Sequence, residues 1–372
     1  MEAQEDPPDV PPPGQLSPTG WVEIPGGPPV AFYELGGSGP PLVVVHATGF
    51  CAAVLAPMAE RLTASFRCLA VDQRGHGASG PPPDGDFSWS GFAADVLALV
   101  DGLGLERPVA FGHSCGGAAL LLAEEERPGT FAGLYCYEPV VYPADVPLAP
   151  SLDGNPLSDG ALRRRRHFRD RRAALDNFSS KAPFDRLDPA VLVAYVDNGF
   201  APDPGGGIRL RCPPEREAQV YAHGFAHDAY AHLDRVRCPV TLACGEHTDA
   251  FGPSFLTLFA ARLGSVEQVV LPGLGHFGPL EDPSAVAGSL SSSLAAGPPP
   301  PRGGRRRWRS RRPARPTTTP WPRATGPRTR PNNSATSSRL RRRSADHRLC
   351  GGFPKCARGT IGPRSWADTS ES

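Results

Sequence analysis

The sequence predicts an α/β protein, with a mostly parallel central sheet, helices on both faces and one inserted helical lid. Two observations carry this expectation. Short, nearly continuous apolar runs fall at residues 30–34, 42–45, 66–71, 109–111, 133–137, 240–243 and 266–271. Strands this apolar are covered on both faces, the usual condition of a parallel sheet. Stretches with helical spacing lie between them, at 55–62, 92–103, 116–126, 255–263 and 284–294. A chain that alternates strand and helix winds a parallel sheet.

The elements follow in order along three regions. Residues 1–20 begin MEAQEDPPDVPPPG, acidic and Pro-rich without apolar periodicity, and are expected to be disordered. Residues 21–296 carry the strand and helix signals. Within them the alternation stops at 143–234, where helical pieces and turns occur but no good strand, so this segment is expected to lie over the sheet as a lid. Residues 297–372 are Arg-, Pro-, Thr- and Ser-rich with almost no aliphatic side chains, and are expected to be a second disordered tail.

Composition bounds the function classes. The chain has 372 residues, 40% hydrophobic and 21% charged, enough for a sizeable core. Its formal charge of +1 conceals an asymmetry. From Gly297 onward there are 19 Lys or Arg against 3 Asp or Glu, a net +16, which leaves an acidic body. No apolar run approaches the roughly 20 residues of a membrane span. The N-terminus has no basic stretch followed by an apolar one, so no secretory signal is expected. The nine cysteines are odd in number and lack paired CxxC spacing. Cys68, Cys136 and Cys244 fall in apolar runs, where a thiol acts as a small hydrophobe. A reducing, cytoplasmic location and no metal site are expected.

Chemistry enters at Gly112-His113-Ser114-Cys115-Gly116. This G-x-S-x-G follows an apolar strand and opens an Ala/Leu-rich helix, the context in which a sharp turn lifts a serine above the sheet edge. The helix N-terminus beneath Ser114 offers free N–H groups to a developing oxyanion. A serine hydroxyl needs a base, and His276 in Gly273-Leu274-Gly275-His276-Phe277 follows the last strand. His223 and His227, four apart, invite a metal reading, but no HExxH pattern or third ligand accompanies them.

With these motifs quoted, residues 21–296 resemble the α/β-hydrolase superfamily, in its serine-nucleophile, esterase-like branch. His46-Ala47-Thr48-Gly49-Phe50 resembles the oxyanion loop after the third strand. Asp72-Gln73-Arg74-Gly75-His76-Gly77-Ala78-Ser79 resembles the turn after the fourth. The resemblance implies Ser114 as nucleophile, His276 as base, and the amides of Cys115 and Thr48 (or Phe50) as oxyanion donors, with no cofactor. Ala47 stands where many relatives have Gly. It further implies a small ester, thioester or amide as substrate, because Asp at the elbow, as in haloalkane dehalogenases, would form an alkyl-enzyme ester instead.

Two carboxylates compete to orient His276. Relatives usually place an Asp three residues beyond the Gly that ends the strand at 240–243. Here that Gly is Gly245, the third residue is Thr248, and Asp249 follows. Glu138, just past the strand at 133–137, is the alternative, a location resembling that of haloalkane dehalogenases. The chain order Ser–Asp–His places Asp249 marginally ahead.

Other readings stay open. Cofactor-free perhydrolase or haloperoxidase-like activity resembles relatives with the same triad. The lid arginines at 163–166, with Arg169, Arg171 and Arg172, are either a solvated face or an anion-recognising mouth. Phe168, Phe178, Tyr195 and Phe225 in the lid suit packing more than a substrate subsite. The +16 tail could contact nucleic acid or anionic surfaces through phosphates, although it lacks a folded module and aromatic interleaving.

Overall fold

The computed structural model describes residues 14–143, 151–295 and 309–310. In chain order the strands are β1 (Gly20–Val22), β2 (Val30–Gly36), β3 (Pro41–Val45), β4 (Arg67–Val71), β5 (Val109–His113) and β6 (Gly133–Tyr137). The insertion at 143–234, expected to form a lid and called so here as a label, adds β7 (His167–Phe168), β8 (Phe200–Pro202) and β9 (Ile208–Leu210). Then come β10 (Val240–Gly245), β11 (Val266–Leu271) and β12 (Arg309–Ser310). Helices on the sheet are α1 (Ala56–Glu60), α2 (Trp89–Gly102) and α3 (Cys115–Glu126). The lid contributes α4 (Pro156–Leu162), α5 (Arg171–Ser179), α6 (Pro189–Asn198), α7 (Pro214–Ala222) and α8 (Ala229–His232). The body closes with α9 (Pro253–Arg262), α10 (Gly278–Glu281) and α11 (Pro283–Ala295).

The main sheet runs in the order β1-β2-β4-β3-β5-β6-β10-β11-β12. The pairs β1–β2 and β2–β4 are antiparallel and the others parallel. Because β4 and β5 flank β3 on opposite sides, the winding direction reverses there. Loops leaving the carboxyl ends of β3 and β5 therefore converge in one crevice, where sites form in such sheets.

Alternation along β3 sorts its side chains between two cores. Val43 and Val45 pack with α2 and α3, through Phe92, Val96 and Leu120. Leu42 and Val44 pack on the other face with Leu55, Met58, Tyr135 and Leu290. The lid's Phe168, Phe178 and Tyr195 join this second core and are buried, so they are packing residues.

Three features differ from the sequence expectation. The lid contains a three-stranded antiparallel sheet, β7-β9-β8, whose strands of two or three residues are too short for period-two alternation to register. Residues 14–20, expected in the disordered tail, are attached: the Leu16 amide donates to Asn198 Oδ1 at 2.7 Å, and Asn198 Nδ2 donates to the Gly14 carbonyl at 3.2 Å. In the C-terminal region, residues 309–310 pair in parallel with β11. The rest of both expected tails, residues 1–13, 297–308 and 311–372, lies outside the described residues, as does 144–150 of the lid.

One buried acid makes stability respond to pH. Glu125 on α3 is buried, and its Oε1 has no hydrogen-bond partner among the described residues. Burial, reinforced by Asp228, pushes its carboxyl up to about 9. In the unfolded chain it titrates at about 4.3. The folded state thus holds a proton that the unfolded state releases between those values, and stability falls as pH rises from about 4.3 to about 9. Urea titrations across this window should show a decline that Glu125→Gln, unable to ionise, removes. An equal slope in both proteins would contradict the assignment.

Candidate active site

The elbow is built by close backbone approach. Ser114 adopts φ 55 and ψ −115, a conformation that side chains other than Gly seldom take. Strain of this kind persists where the surroundings over-determine it. A Cβ on Gly112 would lie 2.6 Å from backbone atoms of Gly116 and Gly117, and one on Gly116 only 2.5 Å from the Val45 carbonyl. The two glycines let α3 pack onto β5 and β3, which presses Ser114 into the turn. The Ser114 amide then donates to the Tyr137 carbonyl at 3.0 Å.

The loop at 46–50, the expected oxyanion loop, is tied to its neighbours. His46 Nδ1 donates to the Ala47 carbonyl at 2.7 Å, and its Nε2 accepts from the Gln73 amide at 3.1 Å. Gln73 Nε2 donates to the His46 carbonyl at 2.7 Å. His76 Nδ1 donates to the Arg74 carbonyl at 3.1 Å, and Nε2 accepts from the Gly49 amide at 3.1 Å. Burial pushes both imidazoles down, His76 to about 3, so they stay neutral in these tautomers. Asp72 accepts from the Ala52 amide at 2.7 Å, the Ala78 amide at 2.8 Å and the Tyr33 hydroxyl at 2.7 Å, joining the two loops.

Within the oxyanion loop the Phe50 amide is engaged by the Ala47 carbonyl at 3.3 Å. The amides of Thr48 and Cys115 donate to no described group. The two expected oxyanion donors are thus the free ones, and Phe50 is occupied. Burial pushes the Cys115 thiol up to about 12, so it stays protonated and is no competing nucleophile.

Glu138, not Asp249, meets His276. Glu138 Oε2 accepts from His276 Nδ1 at 2.7 Å and from the Thr248 hydroxyl at 2.7 Å, while Oε1 accepts from the Gly245 amide at 3.0 Å. The Glu138 side chain is fully buried and its backbone has φ 43. A carboxylate only accepts, so Nδ1 carries the proton and Nε2 is left as the basic nitrogen. Asp249 is exposed and forms no hydrogen bond with His276, which corrects the expectation that favoured it. The reason is local. Thr248, the third residue past Gly245, turns its hydroxyl to Glu138. One residue further, the chain has already turned outward. No hydrogen bond joins Ser114 to His276 here; such bonds often tighten only when substrate is bound.

The His276 loop is pinned from below. Tyr137 donates its hydroxyl to the Gly275 carbonyl at 2.7 Å. His113 Nε2 donates to the His276 carbonyl at 2.9 Å, and burial keeps that ring neutral. Sequence reasoning assigned no role to His113, Tyr137 or Thr248. Each acts through contacts over 100 residues away in sequence, and local pattern carries no signal for those.

The profile of the alpha/beta hydrolase fold family matches residues 40–283. The chain belongs to this family. Among curated relatives of this alpha/beta hydrolase is the 2-(acetamidomethylene)succinate hydrolase of Mesorhizobium japonicum, 26% identical over 65% of this chain and 83% of that protein. A putative carbamate hydrolase of Azorhizobium caulinodans is 27% identical over 64% of this chain and 84% of its own. Haloalkane dehalogenase 2 of Mycobacterium tuberculosis is 27% identical over 68% and 87%. The crystal structure of an E-2-(acetamidomethylene)succinate hydrolase superposes with a TM-score of 0.61 at 23% identity, covering 74% of this chain and 98% of that one.

The remaining candidates resolve around this alpha/beta hydrolase site. His223 Nδ1 donates to the Gln219 carbonyl at 2.9 Å. His227 stacks on Trp89 and donates from Nε2 to the Val140 carbonyl at 3.1 Å. No group of three or more His, Cys, Asp or Glu that could hold a metal occurs among the described residues. The lid arginines are mostly spoken for: Arg166 pairs with Glu215, Arg169 with Asp170, Arg171 with Asp197 and Arg172 with Asp176. Among the described residues, no helix is long and apolar enough to cross a membrane.

Proposed function

We propose that this alpha/beta hydrolase is a serine hydrolase that cleaves a small ester, thioester or amide through an acyl-enzyme. The observation that carries the reading is the His276 Nδ1–Glu138 Oε2 hydrogen bond of 2.7 Å on the loop that follows β11, together with the strained Ser114 turn. Glu138 fixes the tautomer that leaves Nε2 basic, and it stabilises the imidazolium that forms when Nε2 takes the serine proton. Ser114 Oγ attacks the carbonyl carbon, and the charge that develops on the carbonyl oxygen is met by the Thr48 and Cys115 amides. His276 returns the proton to the leaving group, and water repeats the sequence to release the acid. Relatives named for hydrolysis of an acetamido compound and of a carbamate support acyl chemistry.

A fluorophosphonate probe tests this directly. It should label folded protein at Ser114, located by peptide mapping, and labelling should fall when Glu138 is changed to Gln. A folded protein left unlabelled would refute the reading.

A further inference from the structure

The direction of the Thr48 amide is set by the carbonyl on the same peptide. Its N–H belongs to the peptide that carries the Ala47 carbonyl, and in a planar trans peptide the N–H points opposite to the C=O. Whatever fixes the Ala47 carbonyl therefore aims the Thr48 amide. That carbonyl receives the His46 Nδ1–H at 2.7 Å and the Phe50 amide at 3.3 Å, so both of its lone pairs are engaged.

His46 donates there in only one of its forms. The Gln73 backbone amide lies 3.1 Å from His46 Nε2 and can only donate, so that nitrogen accepts and the ring proton sits on Nδ1. The ring is fully buried, which keeps it neutral. Gln73, two residues past β4, holds His46 at a second point, where its Nε2 donates to the His46 carbonyl at 2.7 Å. That carbonyl abuts the elbow, since a Cβ on Gly116 would stand 2.7 Å from it. The Cys115 thiol, a weak donor, lies 3.8 Å from Gln73 Oε1. His46 and Gln73 thus touch both segments that carry the free amides, the Thr48 loop and the start of α3.

We propose that His46 and Gln73 are positioning residues for the oxyanion hole. Gln73 fixes the Nδ1–H tautomer of His46, and that tautomer, through the Ala47 carbonyl, aims the Thr48 amide at the carbonyl oxygen of the substrate. The inference rests on the serine-hydrolase reading above. Both residues act through the loop backbone and not on the substrate. The opposite tautomer would set an N–H against the Gln73 amide and a lone pair against the Ala47 carbonyl. Either repulsion would release the peptide to turn, and the developing charge would lose one of its two donors. Because the donors are fixed before the reaction, no reorganisation is needed as the charge forms.

The test uses the full chain and compares p-nitrophenyl acetate with its thionoester, in which sulfur replaces the carbonyl oxygen. Sulfur is a weak acceptor, so a working oxyanion hole favours the oxygen ester. The ratio of the two kcat/KM values, divided by the ratio for hydroxide, reads the hole alone. The wild type should favour the oxygen ester by at least about tenfold on that scale. His46→Leu should lose most of this preference and lower kcat on the oxygen ester by about 10², the cost of one oxyanion donor, with KM little changed. Gln73→Met should lower the ratio in the same direction. His46→Asn, whose side-chain amide can donate from near the Nδ1 position, should restore most of it. A merely structural role would reduce the fraction of active enzyme and leave every ratio where it stands. A folded His46→Leu with the wild-type ratio would overturn the proposal, as would equal use of both esters by the wild type. If the variants fail to fold, the ring nitrogen NMR shifts of the wild type decide: a His46 proton on Nδ1 supports the proposal and one on Nε2 overturns it. Turnover with an unchanged ratio refutes this inference alone, whereas no turnover and no label at Ser114 refutes the serine-hydrolase reading and this inference with it.

Discussion

Ser114→Ala should abolish ester turnover, lowering kcat by about six orders of magnitude, as removal of the nucleophile does in a well-studied serine protease. Ala lacks only the hydroxyl, so the elbow itself should survive. The backbone at φ 55 is enforced by the packing of Gly112 and Gly116 against β3 and α3, not by any bond from the serine side chain. The variant should therefore unfold at nearly the same urea concentration as the wild type and still bind substrate, with the loss confined to kcat. Steady-state kinetics on p-nitrophenyl acetate, with contamination controlled by an inhibitor titration, checks the first part. Denaturation checks the second. A variant that retains a substantial fraction of kcat would mean that the attacking group is not Ser114, and the acyl-enzyme mechanism would fall.

The second large effect separates two carboxylates. Glu138→Gln should lower kcat by about 10⁴, the cost of losing the orienting acid in a serine protease. With its oxygen at the Oε1 position Gln can still accept from the Gly245 amide, which donates to Glu138 at 3.0 Å in the wild type. Its NH2 then stands where Oε2 meets both the Thr248 hydroxyl and His276, with the Thr248 oxygen able to accept from it. It can also offer its amide to His276, which then receives a hydrogen bond at Nδ1 and holds its proton on Nε2, the wrong tautomer for a base. Geometry is thus kept while basicity is lost. Asp249→Asn should leave turnover unchanged, because Asp249 is exposed and makes no contact with the ring. Comparing kcat for the two variants, with thermal melts to confirm folding, decides between them. The reverse ranking would show that the loop bearing Asp249 closes on His276 during turnover.

Much of this site was legible in the sequence, for reasons that are local. Gly112 and Gly116 bracket Ser114 because α3 must pack within a carbon's width of two strands, and a spacing dictated by sterics appears as a fixed pattern. His276 is recognisable because it follows the apolar strand β11, and the free Thr48 and Cys115 amides follow from loop and helix-start positions. The strand at 133–137 matched its expected bounds, every residue of it being buried; the strand at 266–271 also matched, although only Val269 and Leu271 in it are buried. The lid's β7, β8 and β9 were not legible, being too short to alternate.

The sequence by itself determined the α/β class and singled out the elbow serine, the late histidine and the Thr48 and Cys115 amides as candidates, since each depends on periodicity, glycine sterics or chain order. Only the tertiary structure decided which carboxylate meets His276. The Ser–Asp–His order put Asp249 marginally ahead, yet β6 and β10 are adjacent parallel strands. Their carboxyl ends bring the Glu138 side chain, the Gly245 amide and the Thr248 hydroxyl to one point beneath the His276 ring. Likewise, nothing local around Arg164 or in α7 says that Arg164 and Glu217 pair, or that Glu217 Oε1 packs against Gly49 without a donor among the described residues. Hydrogen-bond valence is a property of three-dimensional neighbours, and the chain discloses it only when folded.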